Sequence, residues 1–190
     1  TISDLRSELG ESRLLTSWAG RIYWSDVAAG GTCELWSSDG TVPGTQPVAP
    51  VGHSWRYYGG QDPCPSRPVV FAGRLWLTAC DAEIGCELWT SDGTADGTHP
   101  LADLEPGPAS LLPTQLKPIG DRLYFSGCAA GTGCEPWESD GSIGGTRRLA
   151  DLAPGAYSSD PHSFTRSACL VYFAGDDGTG KELWAMPVGV

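Results

Sequence analysis

The stretch CELWSSDGTVPGT, residues 33–45, returns as CELWTSDGTADGT at 86–98 and as CEPWESDGSIGGT at 134–146, and a shortened version, KELWAMPV, stands at 181–188. The tryptophans that mark the four copies, Trp36, Trp89, Trp137 and Trp184, are 53, 48 and 47 residues apart. A fixed period in the range of about 20 to 50 residues is the mark of solenoids, propellers and arrays. Two further markers keep the same step. One is GRIYW at 20–24, GRLWL at 73–77, GDRLYF at 120–125 and CLVYF at 169–173; the other is ISDL at 2–5, VAPV at 48–51, LADL at 101–104 and LADL at 149–152. Every part of the chain therefore belongs to a repeat.

Inside one unit, apolar residues alternate with polar ones between Gly, Pro and Asp, and no window carries the three-four spacing of a helix. The third unit predicts four strands: PTQLKPI (113–119, strand a), DRLYFSGC (121–128, b), CEPWES (134–139, c) and RRLADL (147–152, d). A two-residue turn joins a to b, a Gly-rich loop joins b to c, and the DGTxxGT loop joins c to d, so the unit is an antiparallel meander. Such a sheet buries one face and leaves its edges open, which it resolves by packing identical neighbours around an axis. The expected fold is all-β, a four-bladed β-propeller forming one domain over residues 1–190. Its units run over 6–51, 52–104, 105–152 and 153–190, and ISDL at 2–5 supplies strand d of the last unit and closes the ring.

The net charge of −11, with Lys117 and Lys181 as the only lysines, argues against nucleic acid and anionic membranes as partners, since both require basic surfaces. No apolar run reaches the roughly 20 residues of a membrane helix, and no leader is seen, which reads as a chain that is soluble and, if exported, already mature. The sequence has no asparagine and so no N-glycosylation site. Of its seven cysteines, Cys80 with Cys86 and Cys128 with Cys134 occupy the same two positions of consecutive units, opposite one another across a hairpin, where disulfides are expected. Neither pair has the further ligands that a zinc site needs. Cys33 faces Val27 across its own hairpin, so it is paired with Cys64 from the next connection. Cys169, at the start of strand b in the last unit, is left free or available for a covalent dimer. Disulfides place the protein in an oxidising, extracellular setting.

The phrase ELWTSDGTADGT at 87–98, with LADLEPGPAS at 101–110 and DRLYFSG at 121–127, resembles the ELWxxDGT repeat family of bacterial, often myxobacterial, extracellular proteins. Three units match the core phrase and the fourth keeps only ELW. The resemblance implies a repeat architecture and a secreted or cell-surface location. The cysteines and the missing SDGT of the fourth unit depart from the usual pattern. In blade number and size, though not in motif, the chain is also similar to hemopexin-like domains.

Within the repeat, Asp39, Asp92 and Asp140, each followed by glycine, are the residues of a self-bonded turn. The recurring Glu34, Glu87, Glu135 and Glu182 cap backbone amides or meet an arginine between blades, and the tryptophans that follow wedge between blades. His53, His99 and His162 fall at unrelated positions, no catalytic motif is present, and an enzyme is not expected. The insertion GHSWRYYGGQDPCPSRP at 52–68 breaks the repeat and gathers Trp55, Tyr57 and Tyr58 in one loop. On the same face lie Asp81 and Glu83 of the second unit and Asp176 and Asp177 of the fourth. Aromatic planes beside carboxylates suit a glycan, with no cofactor required and calcium as an optional bridge. Two other readings compete with this lectin-like one: a structural or adhesive module that meets extracellular proteins, and a hydrolase or lyase without a known motif.

Overall fold

The computed structural model describes residues 15–28, 32–53 and 67–188. Strands and no helix form their regular structure, in four antiparallel sheets that follow the repeat. The first sheet is β1 (Thr16–Trp18), β2 (Arg21–Val27), β3 (Thr32–Ser38) and β4 (Gln46–His53). The second is β5 (Val69–Phe71), β6 (Arg74–Asp81), β7 (Gly85–Ser91) and β8 (His99–Pro100). The third is β9 (Thr114–Ile119), β10 (Arg122–Ala129), β11 (Gly133–Ser139) and β12 (Arg147–Arg148), and the fourth is β13 (His162–Ser167), β14 (Leu170–Asp176) and β15 (Lys181–Pro187). In each sheet neighbours in sequence are neighbours in space. The hairpins from a to b are tight because Ala19 and Gly20, at φ 48° and 75°, and Ala72 and Gly73, at 49° and 71°, hold two left-handed residues in a row. That turn matches the right-handed twist of the strands it joins.

Two expectations need correction. Strand d of the third unit was expected over 147–152, but β12 ends at Arg148. Leu149 donates one more backbone bond to Pro136, after which Leu149 and Leu152 turn in to pack against the third core cluster. Burying those two leucines outweighs two further ladder bonds at an exposed edge. Cys169, in turn, sits in the turn beside Ala168 (φ 52°), one residue before β14. It is exposed and its thiol is free.

Each sheet packs on the next. The first core cluster joins Tyr23, Cys33, Leu35 and Val51 of the first sheet to Leu75, Leu77 and Ala79 of the second. The second joins Phe71, Trp76 and Leu88 to Leu123 and Phe125, with Leu111 between them. The third joins Ile119 and Tyr124 to Phe164, Val171 and Phe173. Trp89, Trp137 and Trp184 pack against the first, second and third clusters respectively, so each wedges toward the sheet before its own. Leu35 and Leu88, one residue earlier on their strands, point the other way, toward the sheet that follows. The first strands of successive sheets stand side by side, β1 by β5, β5 by β9 and β9 by β13. Side-chain bonds tie these layers: Thr16 Oγ1 donates to the Pro68 carbonyl and Thr78 Oγ1 to that of Pro113.

Candidate functional site

The repeat phrase is consumed by its own loop. In the second sheet Asp92 Oδ1 accepts the Thr94 amide at 3.0 Å and the Thr94 hydroxyl at 2.6 Å. Thr94 Oγ1 in turn accepts the Gly97 amide at 3.0 Å. Thr98 Oγ1 donates to the Thr94 carbonyl at 2.6 Å and lies 2.7 Å from Ser91 Oγ, which accepts the Gly93 amide. Asp39 and Asp140 repeat these bonds with Thr41 and Ser142. The later glycine of the phrase is required because the aspartate lies against it: a Cβ on Gly97 or Gly145 would stand 1.9 or 2.0 Å from the carboxylate Oδ1. The hydroxyl and amide donors hold Asp39, Asp92 and Asp140 below the usual carboxylate range.

An arginine at the start of strand b completes the arrangement. Arg74 donates to Thr90 Oγ1 and to the Gly97 carbonyl, both at 2.8 Å, and Arg21 does the same to Ser37 Oγ and the Gly44 carbonyl. In the third sheet Arg122 turns to Asp121 instead, and Arg147 pairs with Glu138 at 2.8 Å. In the fourth sheet Leu170 replaces the arginine and the DGT turn after strand c is also gone. A DGT turn reappears there at 177–179 between strands b and c, with Asp177 Oδ1 bonded to the Thr179 amide and hydroxyl. These aspartates shape turns, and among the described residues no three His, Cys, Asp or Glu side chains gather as a metal site.

The glutamate of the phrase is a staple for the connection that leads to the next sheet. Buried Glu87 accepts the Leu104, Glu105 and Leu111 amides at 3.3, 3.4 and 3.1 Å. Buried Glu135 accepts the Leu152 amide at 2.9 Å, the Ala153 amide at 3.3 Å and Ser159 Oγ at 2.8 Å. Of the two roles expected, amide capping is the one these glutamates serve. Burial pushes Glu87 up to about 7; its three amide bonds pull the other way, and the Asp103 carboxylate adds to the rise.

Beside each staple lies a disulfide across the hairpin, Cys80–Cys86 and Cys128–Cys134, as the cysteine spacing predicts. Both pairs sit opposite one another in register. Cys33 is buried and disulfide-bonded; Cys64, expected as its partner, lies outside the described residues, as do Trp55, Tyr57 and Tyr58. Two disulfides are compatible with an extracellular location, and among the described residues no helix is long and apolar enough to cross a membrane.

Because strands alternate in direction, the loops from b to c and the connections from d to a emerge at one end of the sheets. Asp81 and Asp176 end strands β6 and β14, and Glu83 and Asp177 lie in the b-to-c loops that follow them, on the second and fourth sheets. Asp81 Oδ1 accepts the Glu83 amide at 2.7 Å, and Asp176 Oδ1 accepts the Gly178 and Gly180 amides at 2.8 and 3.2 Å. Asp81, Asp176 and Asp177 therefore each order their own loop through Oδ1, and among the described residues the second oxygen has no hydrogen-bond donor. The structure does not bring the two acidic pairs together in a common cluster.

Sequence reasoning underweighted Tyr157, which is 77% exposed on this same face and is the one exposed aromatic among the described residues. The backbone beneath it is tightly held. Ser158 Oγ accepts the Cys134 amide at 3.0 Å, the Ser159 amide donates to the Cys134 carbonyl at 3.0 Å, and Ser159 Oγ donates to Glu135. The Tyr157 carbonyl lies where a side chain on Gly133 would be, 1.9 Å from a Cβ built there. The signal was present in sequence: tyrosine stands here where the preceding connection has Ala109, the residue whose carbonyl meets Gly85 in the same way.

No protein-family model matches the chain, and no curated protein matches it in sequence.

Proposed function

We propose that this chain is a four-bladed propeller closed by its N-terminal strand, exported to the cell surface or medium, and that its loop face binds a glycan. The ring is supported by the serial packing of the four sheets and by the side of the first sheet that faces away from the second. There Trp24 and Trp36 stack at 6.1 Å, and Trp24 is only 7% exposed. Their counterparts Leu77 and Trp89, Phe125 and Trp137, and Phe173 and Trp184 all meet a preceding sheet. In a ring the preceding sheet is the fourth. Export is supported by the disulfides and agrees with the resemblance to the ELWxxDGT repeats.

The observation that carries the binding reading is Tyr157. An aromatic ring left in water gains free energy when a flat apolar sugar face covers it. Holding its backbone in place beforehand removes part of the ordering cost that binding otherwise incurs. The half-free carboxylates of Asp81, Asp176 and Asp177 and the side chain of Glu83 offer acceptors for hydroxyls around that face. A glycan array probed with the disulfide-intact chain tests this. It should return one class of sugar, and Tyr157→Ala should weaken the hit about tenfold, the loss of a single stacked aromatic contact. An empty array beside turnover in a panel of hydrolase substrates would replace the lectin-like reading with the enzymatic one.

A further inference from the structure

The fourth sheet ends on a strand that has everything needed to receive a partner. Leu183 of β15 is 74% exposed, whereas Leu35 and Leu88, at the same repeat position, are fully buried. Glu182 is exposed and without a partner among the described residues, whereas Glu87 and Glu135 are buried under three donors each. The second and third sheets show what fits. In both, the first residue of LADL donates its amide to the residue after the glutamate, Leu101 to Leu88 and Leu149 to Pro136, each at 2.8 Å. The last residue of LADL and the one after it, Leu104 with Glu105 and Leu152 with Ala153, donate theirs to the glutamate itself. The two leucines of each LADL pack on the adjoining core cluster.

We infer that β15 is an acceptor edge for a segment of the pattern apolar-x-Asp-Leu, which makes one backbone bond to the strand and then turns onto the core, and that Glu182 is the latch that sets its register. The occupant is Ile2–Leu5 of the same chain. ISDL is the remaining copy of the pattern, and it lies in the segment 1–14 that leads directly into Leu15 and β1. The template assigns the Ile2 amide to the Leu183 carbonyl, and the Leu5 and Arg6 amides to the Glu182 carboxylate. Ile2 and Leu5 then stand where Leu101 and Leu104 stand in the second sheet, and Leu183 is covered. This latch rests on the closed ring proposed above and adds the residue that fixes it.

Amide hydrogen exchange on the full chain, read by NMR in wild type and in Glu182→Gln, tests the latch. In wild type the Ile2, Leu5 and Arg6 amides should exchange about 100-fold or more slowly than in an unstructured peptide, in a protein that sediments as a monomer. In Glu182→Gln the Leu5 and Arg6 amides should speed up about tenfold, since they lose a charged acceptor, while Ile2 stays protected by its carbonyl partner. Position 182 is exposed, so this variant tests the contact rather than the ability to fold. Protected amides indifferent to Glu182→Gln would overturn the latch and leave the closed ring standing. Free exchange at all three would remove both. Protection confined to a dimer would show that the occupant comes from a second copy, against the assignment made here.

Discussion

Removing the Glu135 carboxylate tests the staple from one repeat to the next. Glu135 is fully buried and accepts three bonds, from Leu152, Ala153 and Ser159. Glu135→Ala leaves the Leu152 and Ala153 amides without an acceptor, while Ser159 Oγ keeps the Cys134 carbonyl at 3.2 Å; each buried orphan costs about 1–3 kcal/mol. Water entering the space left by the side chain recovers part of this, which brings the expected loss to about 2–4 kcal/mol. For a domain of 190 residues, at roughly 2–4 °C per kcal/mol, the melting temperature should fall by about 10 °C. Calorimetry with a denaturant titration measures both quantities. Exchange at the Leu152 and Ala153 amides should accelerate beyond what the global loss explains, because the connection is released locally. A loss below about 1 kcal/mol in Glu135→Ala would refute the staple, since two orphaned backbone amides cannot be that cheap.

Glu87 adds a pH dependence whose sign is set by its raised pKa. The fold favours the protonated form, so its contribution is complete below the free value of 4.5 and is lost as pH rises through about 7. Linkage bounds the effect at about 3 kcal/mol, and solvent screening reduces it to about 1–2 kcal/mol. Melting temperature should therefore drift down from pH 5 to pH 8, and Glu87→Gln, which imitates the protonated acid, should flatten the drift; an unchanged slope would count against it. Two adjacent glycines separate crowding from chain flexibility: Gly145→Ala drives a Cβ to 2.0 Å from Asp140 and should lower the melting temperature, while Gly144→Ala, with nothing within 4 Å, should not. In an Asp140→Ala background the Gly145→Ala effect should vanish, and a cost that persists would show that the aspartate is not its cause. Each disulfide closes a loop with a sequence separation of 6 and should contribute about 2 kcal/mol. A denaturation midpoint indifferent to reductant would contradict that.

The sheets were legible in sequence because one pattern was written repeatedly, and repetition separates signal from accident. Strand b of each unit is an apolar run after its turn, buried on both faces in β6 and β10 and alternating only in β14, and the cysteine pairs of the second and third units fixed the hairpin register residue by residue. The extent of strand d was not legible. LADL reads as strand, and only the presence of a buried glutamate shows that its amides leave the ladder. Asp39, Asp92 and Asp140 were readable as turn residues because the phrase contains both their donors and the glycine that makes room for them. The candidate site was harder to see, because Tyr157 stands alone in an otherwise small and polar connection. Its exposure follows from the Gly133 approach and the Ser158 and Ser159 bonds, contacts about 25 residues apart in sequence that no local pattern announces.

The proposed function divides the labour: the repeated phrase serves the fold, and binding belongs to the residues that break the repeat. Measuring sugar affinity and melting temperature side by side in Tyr157→Ala and Gly145→Ala tests it most directly. Tyr157→Ala should lose about tenfold in affinity and melt like wild type, while Gly145→Ala should melt lower and bind like wild type when folded. The reverse pattern, with affinity lost at Gly145 and stability lost at Tyr157, would place the functional surface on the opposite end of the sheets and rule out binding through Tyr157.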